Sequence, residues 1–344
     1  MTNRRNTQNS ELVAANHAQN EAEMASGQVT MQSYPERLSF YWRSPCSLDC
    51  VMCGKHALGY PLDDEKQVLR LAEWAEEVFP HLGGLCLCPS GEPFESDVLL
   101  QIVAHAYANT RILVVSNGQR LAGQILDQVF EYRVDHLSIS LNAARAETYQ
   151  AITGAPFETL LTNLRELLRR RSGGDGRPHL DYSIVAMNRT APELRDFVRL
   201  AADLGGERAI IRKLGVSIPV AACRRNIRFD PRVENVLTDE SVGERLLDDL
   251  CAVGESAGIR VSADFGRAFT RPPYRYGLQT SHALDARPWK ALELTSCGDT
   301  RFACGKPADL GNAWEFERLH DLWNGPKWVA ARAATVARPA EPAA

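Results

Sequence analysis

Between residues 38 and 213 the chain alternates short strand-like runs with amphipathic helical runs, and it does so six times. The strand candidates are 38–43, 85–88, 112–115, 134–140, 180–186 and 209–213. Sequential β–α units give a parallel sheet with right-handed crossovers and helices packed outside it. The clearest helix opens at Asp63 or Asp64, each a good N-cap. It carries Val68, Leu71, Ala72, Ala75, Val78 and Phe79 on one face until Pro80 stops it. A second helix is expected over 157–171, and a third follows Pro192 and closes at Gly205-Gly206. The pattern alone admits both a doubly wound sheet and a barrel. In either form, functional side chains belong at the C-terminal ends of the strands.

Directly after the first strand stand Cys46, Cys50 and Cys53, spaced C-x3-C-x2-C. Three thiolates from one short loop can each hold one iron of a cubic [4Fe–4S] cluster, leaving the fourth iron open for another ligand. A zinc site or three incidental buried cysteines are the alternatives, and His56 alone is a poor completion of a zinc shell.

The stretch Cys46-Ser-Leu-Asp-Cys50-Val-Met-Cys53 resembles the defining motif of the radical S-adenosylmethionine (SAM) superfamily. That resemblance implies a partial (β/α)6 TIM-like barrel with a small C-terminal extension. It also implies a [4Fe–4S] cluster on the three cysteines, with SAM chelating the open iron. One electron then cleaves SAM to a 5′-deoxyadenosyl radical that abstracts hydrogen from a substrate, the hard chemistry belonging to the cofactors. Further segments match the family in order. Ser90-Gly91-Glu92-Pro93, after the second strand, is similar to the GGEP motif that binds the SAM amino group. Asn117, in Ser116-Asn117-Gly118 after the third strand, and Ser140 and Asn142, closing the fourth, match the ribose side. Arg212 at the end of the sixth strand is placed to meet the SAM carboxylate. Each segment also has a plain structural role open to it: a turn, a helix stop, a pair of core hydroxyls. Cys86 and Cys88, two apart on the second strand, face the same way, and Cys88 is a candidate to donate or accept a hydrogen atom.

The remaining chain divides, on this reading, into a disordered arm over 1–33 with at most a transient helix and the barrel core over 34–216. A connecting segment over 217–284, an extension over 285–335 and a disordered tail over 336–344 follow. The extension, with Pro288-Trp289, Cys297-Gly298, Cys304-Gly305 and Trp323-Asn324-Gly325-Pro326, resembles a SPASM or Twitch domain. Asp285 or Ala286 stands where that domain carries a cysteine, and Cys223 and Cys251 are scattered. No auxiliary cluster is therefore expected, and Trp314, Phe316, Trp323 and Trp328 are expected to pack.

Net charge is −4 with both signs interspersed, which gives no basic face for nucleic acid. Nine cysteines, an odd number, and the lack of a signal-like or membrane-spanning apolar run point to a reduced, cytoplasmic setting. A small-molecule substrate is expected over a peptide, because only a short polar stretch precedes the first strand. An electron donor of the flavodoxin or ferredoxin kind is the expected partner. The rival readings are a maturase of ribosomally made peptides and a non-enzymatic iron–sulfur or zinc module.

Overall fold

The computed structural model describes residues 9–53, 61–215, 221–222, 228–265, 287–301 and 310–337. Six strands follow one another in the chain and in space: β1 (Arg37–Tyr41), β2 (Gly84–Leu87), β3 (Arg111–Ser116), β4 (His136–Ser140), β5 (His179–Ala186) and β6 (Arg208–Lys213). All are parallel, as the β–α alternation requires. A small antiparallel pair, β7 (Ala221–Ala222) and β8 (Arg228–Phe229), stands apart. The large sheet is extended at both edges by later chain. β9 (Arg260–Ala263) adds parallel to β6, and β10 (Ala291–Thr295) adds parallel to β1, with β11 (Thr300–Arg301) antiparallel on β10.

Period-2 alternation sorts the strand residues into two environments. Leu38, Phe40, Leu85, Leu87, Ile112, Val114, Leu137 and Ile139 are buried against the helix layer. The other face, which lines the barrel, is polar. It carries Ser39 and Tyr41 from β1, Cys86 from β2, and His136, Ser138 and Ser140 from β4; β5 adds Asp181 and Ser183. Asp181 is held deep inside by His136 Nε2 and by an Arg208 guanidinium nitrogen, each at 2.8 Å. Burial alone would raise its pKa; the hydrogen bonds and charges of His136 and Arg208 outweigh that and hold it below the ordinary carboxylate range.

The helix expected from Asp63 onward is broken. Asp64 caps it through Lys66 N, but the chain runs through Glu65–Leu69, a 3-10 segment Arg70–Trp74, Ala75–Val78 and a second 3-10 segment Phe79–His81. Its apolar side chains still reach the core, so periodicity identified the buried face and missed the changes of helical pitch.

The N-terminal arm is a correction. Ser10–Ala25 is a folded helix docked by polar side chains. Asn16 exchanges hydrogen bonds with the Tyr34 backbone, donating at 3.1 Å and accepting at 2.8 Å. Asn20 donates to the Trp289 carbonyl and to Ser33 Oγ. Glu23 accepts from Ser33 Oγ at 2.6 Å and from Gln32 N at 2.8 Å. A seam made of amides and a carboxylate is invisible to hydrophobic periodicity, which is why the segment reads as unstructured. The tail is also partly helical: Pro326–Val336 packs through Trp328 and Arg332, and residues 338–344 lie outside the described residues. Trp323 and Trp328 are fully buried, and Trp314 packs at a tilt against Trp74, so these aromatics serve packing.

Replacing Asn20 with Ala should leave the Trp289 carbonyl buried without its donor and cost about 1–3 kcal/mol. Chemical denaturation measures the loss, and hydrogen exchange should rise first across Ser10–Ala25. Unchanged exchange there would mean that the Asn20 bond does not hold the helix in place.

Candidate active site

The C-terminal ends of the strands open into a cavity of about 900 Å³. Cys46, Cys50 and Cys53 all line it, together with Ser90, Gly91, Asn117, Ser140, Asn142 and Arg212. Sequence reasoning thus placed nine residues that the fold brings to one cavity from five separate chain segments.

The cysteine loop is pinned from below. Asp49 N and Val51 N donate to the Thr153 and Ile152 carbonyls, both at 2.9 Å, and the side chains of Leu48 and Val51 are buried. The turn closes with Cys53 N on the Cys50 carbonyl. None of the three is joined in a disulfide. They share the cavity but do not converge as a set within 4.8 Å, which a single tetrahedral ion would demand. Thiolates spread around one cavity instead suit a polynuclear cluster with one iron per sulfur. Asn117 Nδ2 lies 3.7 Å from Cys46 Sγ, the kind of donor that tunes a sulfur ligand.

The loop after β2 is packed hard against the cysteine loop. Ser90 N donates to the Trp42 carbonyl at 2.7 Å, and Glu92 N to the Pro45 carbonyl at 2.8 Å. A Cβ on Gly91 would fall 2.2 Å from the Ser44 carbonyl oxygen, so only glycine admits this approach.

Glu92 departs from the sequence expectation. It does not line the cavity, and it is fully buried. Its carboxylate accepts from Ser116 Oγ and Asn117 N, both at 2.7 Å, and from Phe94 N at 3.3 Å. It therefore ties the β2 loop to the end of β3. Burial pushes its pKa up to about 7, against the pull of those three donors.

Asn142, two residues past the end of β4, has φ of +59°, a left-handed conformation that Asn tolerates better than most residues, and its N–H reaches the Ser183 carbonyl. Arg212 faces Asp264 across 3.9 Å. Cys88 is half-buried and lies 3.2 Å, sulfur to sulfur, from Cys86, confirming a shared face.

Sequence reasoning missed several lining residues: Tyr41, Trp42, Arg43 and Asp63, and beside them Thr295, Ser296 and Asp299. Asp63 accepts from Arg43 N at 2.7 Å, from the Arg43 guanidinium at 2.6 Å and from Ser296 Oγ. Burial would raise the Asp63 pKa, but the Ser296 and Arg43 bonds outweigh it and hold the acid below its ordinary value. Cys297 lies at the rim, exposed, 3.9 Å from the Arg43 guanidinium. Cys251 lies on the helix Glu240–Ala257. Cys223, Cys304, Asp285, Ala286 and His56 lie outside the described residues.

Residues 45–201 match the Radical SAM superfamily, a stretch that starts at the cysteine loop and runs through β2 to β5. Members of this superfamily use a [4Fe–4S] cluster and SAM, and the cavity's donor set fits both. Among curated proteins, the AdoMet-dependent heme synthase of Methanosarcina barkeri is 25% identical over 180 residues, 52% of this chain and 50% of the relative. The chain thus spans about half the length of that heme synthase. The GTP 3′,8-cyclase of Pseudomonas entomophila is 23% identical over 244 residues, 69% of each chain. Among solved structures, Streptococcus suis SuiB superposes with a TM-score of 0.64 at 14% identity, over 95% of this chain and 74% of SuiB. The structure of anSMEcpe with bound AdoMet and a Cp18Cys peptide superposes with a TM-score of 0.55 at 15% identity, over 86% and 81%. At these identities the structural likeness concerns the fold. No helix among the described residues is long and apolar enough to cross a membrane.

Two substitutions probe this geometry. Gly91→Ala should push the β2 loop off Ser44, an overpacking cost of about 1–3 kcal/mol, and reduce iron loading after anaerobic reconstitution. Normal iron content in that variant would show that the two loops are not mechanically coupled. The second is Glu92→Gln. From about pH 4.5 to 7 the folded protein keeps a proton on Glu92 that the unfolded chain releases, so stability falls as pH rises through that window. The total is on the order of 3 kcal/mol at about 1.4 kcal/mol per unit. Glu92→Gln lacks this slope, and denaturation at several pH values should show the wild type losing ground to the variant as pH rises. Parallel pH profiles would place the Glu92 pKa near that of a free carboxyl group.

Proposed function

We propose that this protein is a radical SAM enzyme that abstracts a hydrogen atom from a small organic substrate held in the strand-end cavity. The observation that carries this reading is the meeting of the three-cysteine loop with Ser90, Gly91, Asn117, Ser140, Asn142 and Arg212 around one cavity. Cys46, Cys50 and Cys53 would hold the cluster. When bound, cluster and SAM together supply a 5′-deoxyadenosyl radical. The chain's own contribution is placement. Backbone groups around Ser90 and Gly91 offer a close surface for the SAM amino group, which the glycine admits. Asn117, Ser140 and Asn142 present neutral donors and acceptors to the ribose. Arg212 stands on the carboxylate side, its charge moderated by Asp264. Glu92 acts behind this surface by fixing the loop, so its part in SAM binding is positioning.

One cavity must take the cluster, SAM and the reacting part of the substrate, which leaves room for a small molecule or for a single side chain. Holding the reacting carbon against the radical and excluding water is where such a site gains its rate. An electron donor of the flavodoxin or ferredoxin class would serve the cluster from outside. The second reading is maturation of a peptide, favoured by the fold shared with SuiB, which has been solved bound to the precursor peptide SuiA. The dehydrogenation, epimerisation, decarboxylation and rearrangement outcomes share the same first step.

Anaerobic reconstitution with iron, sulfide, reductant and SAM tests the reading. The wild type should hold about four iron atoms per chain in the three-cysteine site and slowly release 5′-deoxyadenosine. The combined Cys46→Ala, Cys50→Ala and Cys53→Ala variant should do neither. Iron retained by that variant at the wild-type level would place the cluster elsewhere, and a zinc-loaded, iron-free protein would remove the enzyme reading altogether.

A further inference from the structure

Four charged side chains line the main cavity among the described residues: Arg43, Asp63, Arg212 and Asp299. Arg212 ends β6, whereas the other three gather at the ends of β1 and β10, toward the opposite end of the strand order. Arg43 is anchored by a buried carboxylate. Its Nε donates to Asp63 Oδ1 at 2.6 Å, and the same carboxylate accepts from Arg43 N and from Ser296 Oγ. The Asp63 side chain is 2% exposed and that of Arg43 32%. Nε and Nη2 of the guanidinium are engaged, by Asp63 and by the Cys297 sulfur at 3.9 Å; Nη1 makes no hydrogen bond among the described residues. The guanidinium plane is therefore fixed while one nitrogen keeps its donors. Asp299 is held by its backbone. Thr295 N donates to the Asp299 carbonyl at 3.0 Å, and Asp299 N to Thr295 Oγ1 at 3.1 Å. Trp314 Nε1, Asn312 Nδ2 and Ala313 N take the carbonyls of Ser296, Cys297 and Gly298 between them. The Asp299 carboxylate, exposed on this pinned turn, makes no hydrogen bond or ion pair among the described residues. The Cys297 contact brings the guanidinium against the same turn.

We propose that this wall is the substrate subsite and that it takes the head group of a free amino acid, carboxylate on Arg43 and ammonium on Asp299. The inference deepens the proposed function and rests on it, because the strand ends from β2 to β6 are there given to SAM. A fixed donor and a fixed acceptor on one wall select a ligand that carries both charges. A dianion such as a phosphate ester would meet Asp63 and Asp299 with like charge, and a diamine would set a cation against Arg43. A guanidinium suits a carboxylate, whose two oxygens accept from neighbouring N–H groups. Inside a peptide both head groups are consumed by amide bonds. The subsite thus tells a free amino acid from a residue of a precursor chain, which favours the small-molecule reading over peptide maturation.

Equilibrium dialysis of the anaerobically reconstituted full chain, with SAM bound, tests this. The probes are the common L-amino acids at millimolar concentration and, for each that binds, its carboxamide and its N-acetyl derivative. At least one free amino acid should bind, and each derivative should bind about ten- to a hundredfold more weakly, the range for one lost charged hydrogen bond. Arg43→Lys keeps a counter-ion for Asp63, but the single ammonium group is then occupied there and the second donor nitrogen is gone. That variant should lose most of the preference for the acid over the carboxamide and keep the preference for the amine over the N-acetyl form. Asp299→Asn, at an exposed position, should do the reverse. Loss of affinity for all three forms alike in both variants would mean a structural role and overturns the assignment. So does tighter binding of the blocked derivatives, which would give the wall to a peptide chain. SAM binding lost with Arg43→Lys in the same dialysis would give the wall to the cofactor, with the same consequence. A wild type that releases 5′-deoxyadenosine yet binds no amino acid overturns this inference alone. Absence of 5′-deoxyadenosine from the wild type overturns it together with the function on which it rests.

Discussion

The buried carboxyl group of Glu92 is the interaction on which the site depends. It receives Ser116 Oγ and Asn117 N from the end of β3, while its own backbone N–H binds Pro45, next to the first cysteine. One residue therefore fixes the relative positions of three strand ends: the cysteine loop after β1, the Ser90-Gly91 turn after β2 and Asn117 after β3. A parallel sheet supplies strand ends at roughly regular spacing, but it does not fix the loops beyond them. A buried acid with three donors does, because releasing any of them strands a polar group away from water. That the burial penalty lifts its pKa to about 7 is the cost of using a carboxyl group as a fastener.

The same logic runs through the barrel. Its outer strand face is apolar and packs on helices; its inner face is filled with hydroxyls, thiols and the His136–Asp181–Arg208 cluster. Ion-paired groups this deep must satisfy one another, and the two partners of Asp181 do so from neighbouring strands. The consequence is a polar strand face with a cavity at the strands' C-terminal ends, extended at one edge by β9 and at the other by β10 and β11.

Much of this was legible in the sequence, for reasons that can be stated. The six inner strands appear because period-2 apolar faces and intervening helices leave a strong pattern. The cavity residues appear because the rule that strand ends carry function applies to motifs whose order is known. The N-terminal helix was not legible, because Asn16, Asn20 and Glu23 dock it through hydrogen bonds and periodicity registers only apolar burial. The burial of Glu92 was not legible either. A motif places it beside the ligand, and only three-dimensional packing shows that its carboxylate is already taken. Arg43 and Asp63 escaped notice because their pairing joins residues on either side of the cysteine loop, with Ser296 brought in from distant chain.

The cavity's chemistry follows from what its wall leaves available. Arg43 and Arg212 are each set against a carboxylate, Asp63 and Asp264, so neither is an unopposed cation. The groups facing a bound ligand are then largely neutral amides and hydroxyls: Asn117, Ser140, Asn142 and Ser183. Their O–H and N–H bonds are stronger than aliphatic C–H bonds, and a carbon radical gains nothing by attacking them. Such a wall can orient a radical without quenching it. Thiols and the Tyr41 phenol are the exceptions, and three of the thiols at the cavity belong to the cysteine loop, where iron would claim them. The fourth cysteine lining it, Cys297, stands exposed at the rim beside the Arg43 guanidinium. A wall with so few weak bonds to hydrogen would leave a radical to react with whatever the cavity holds.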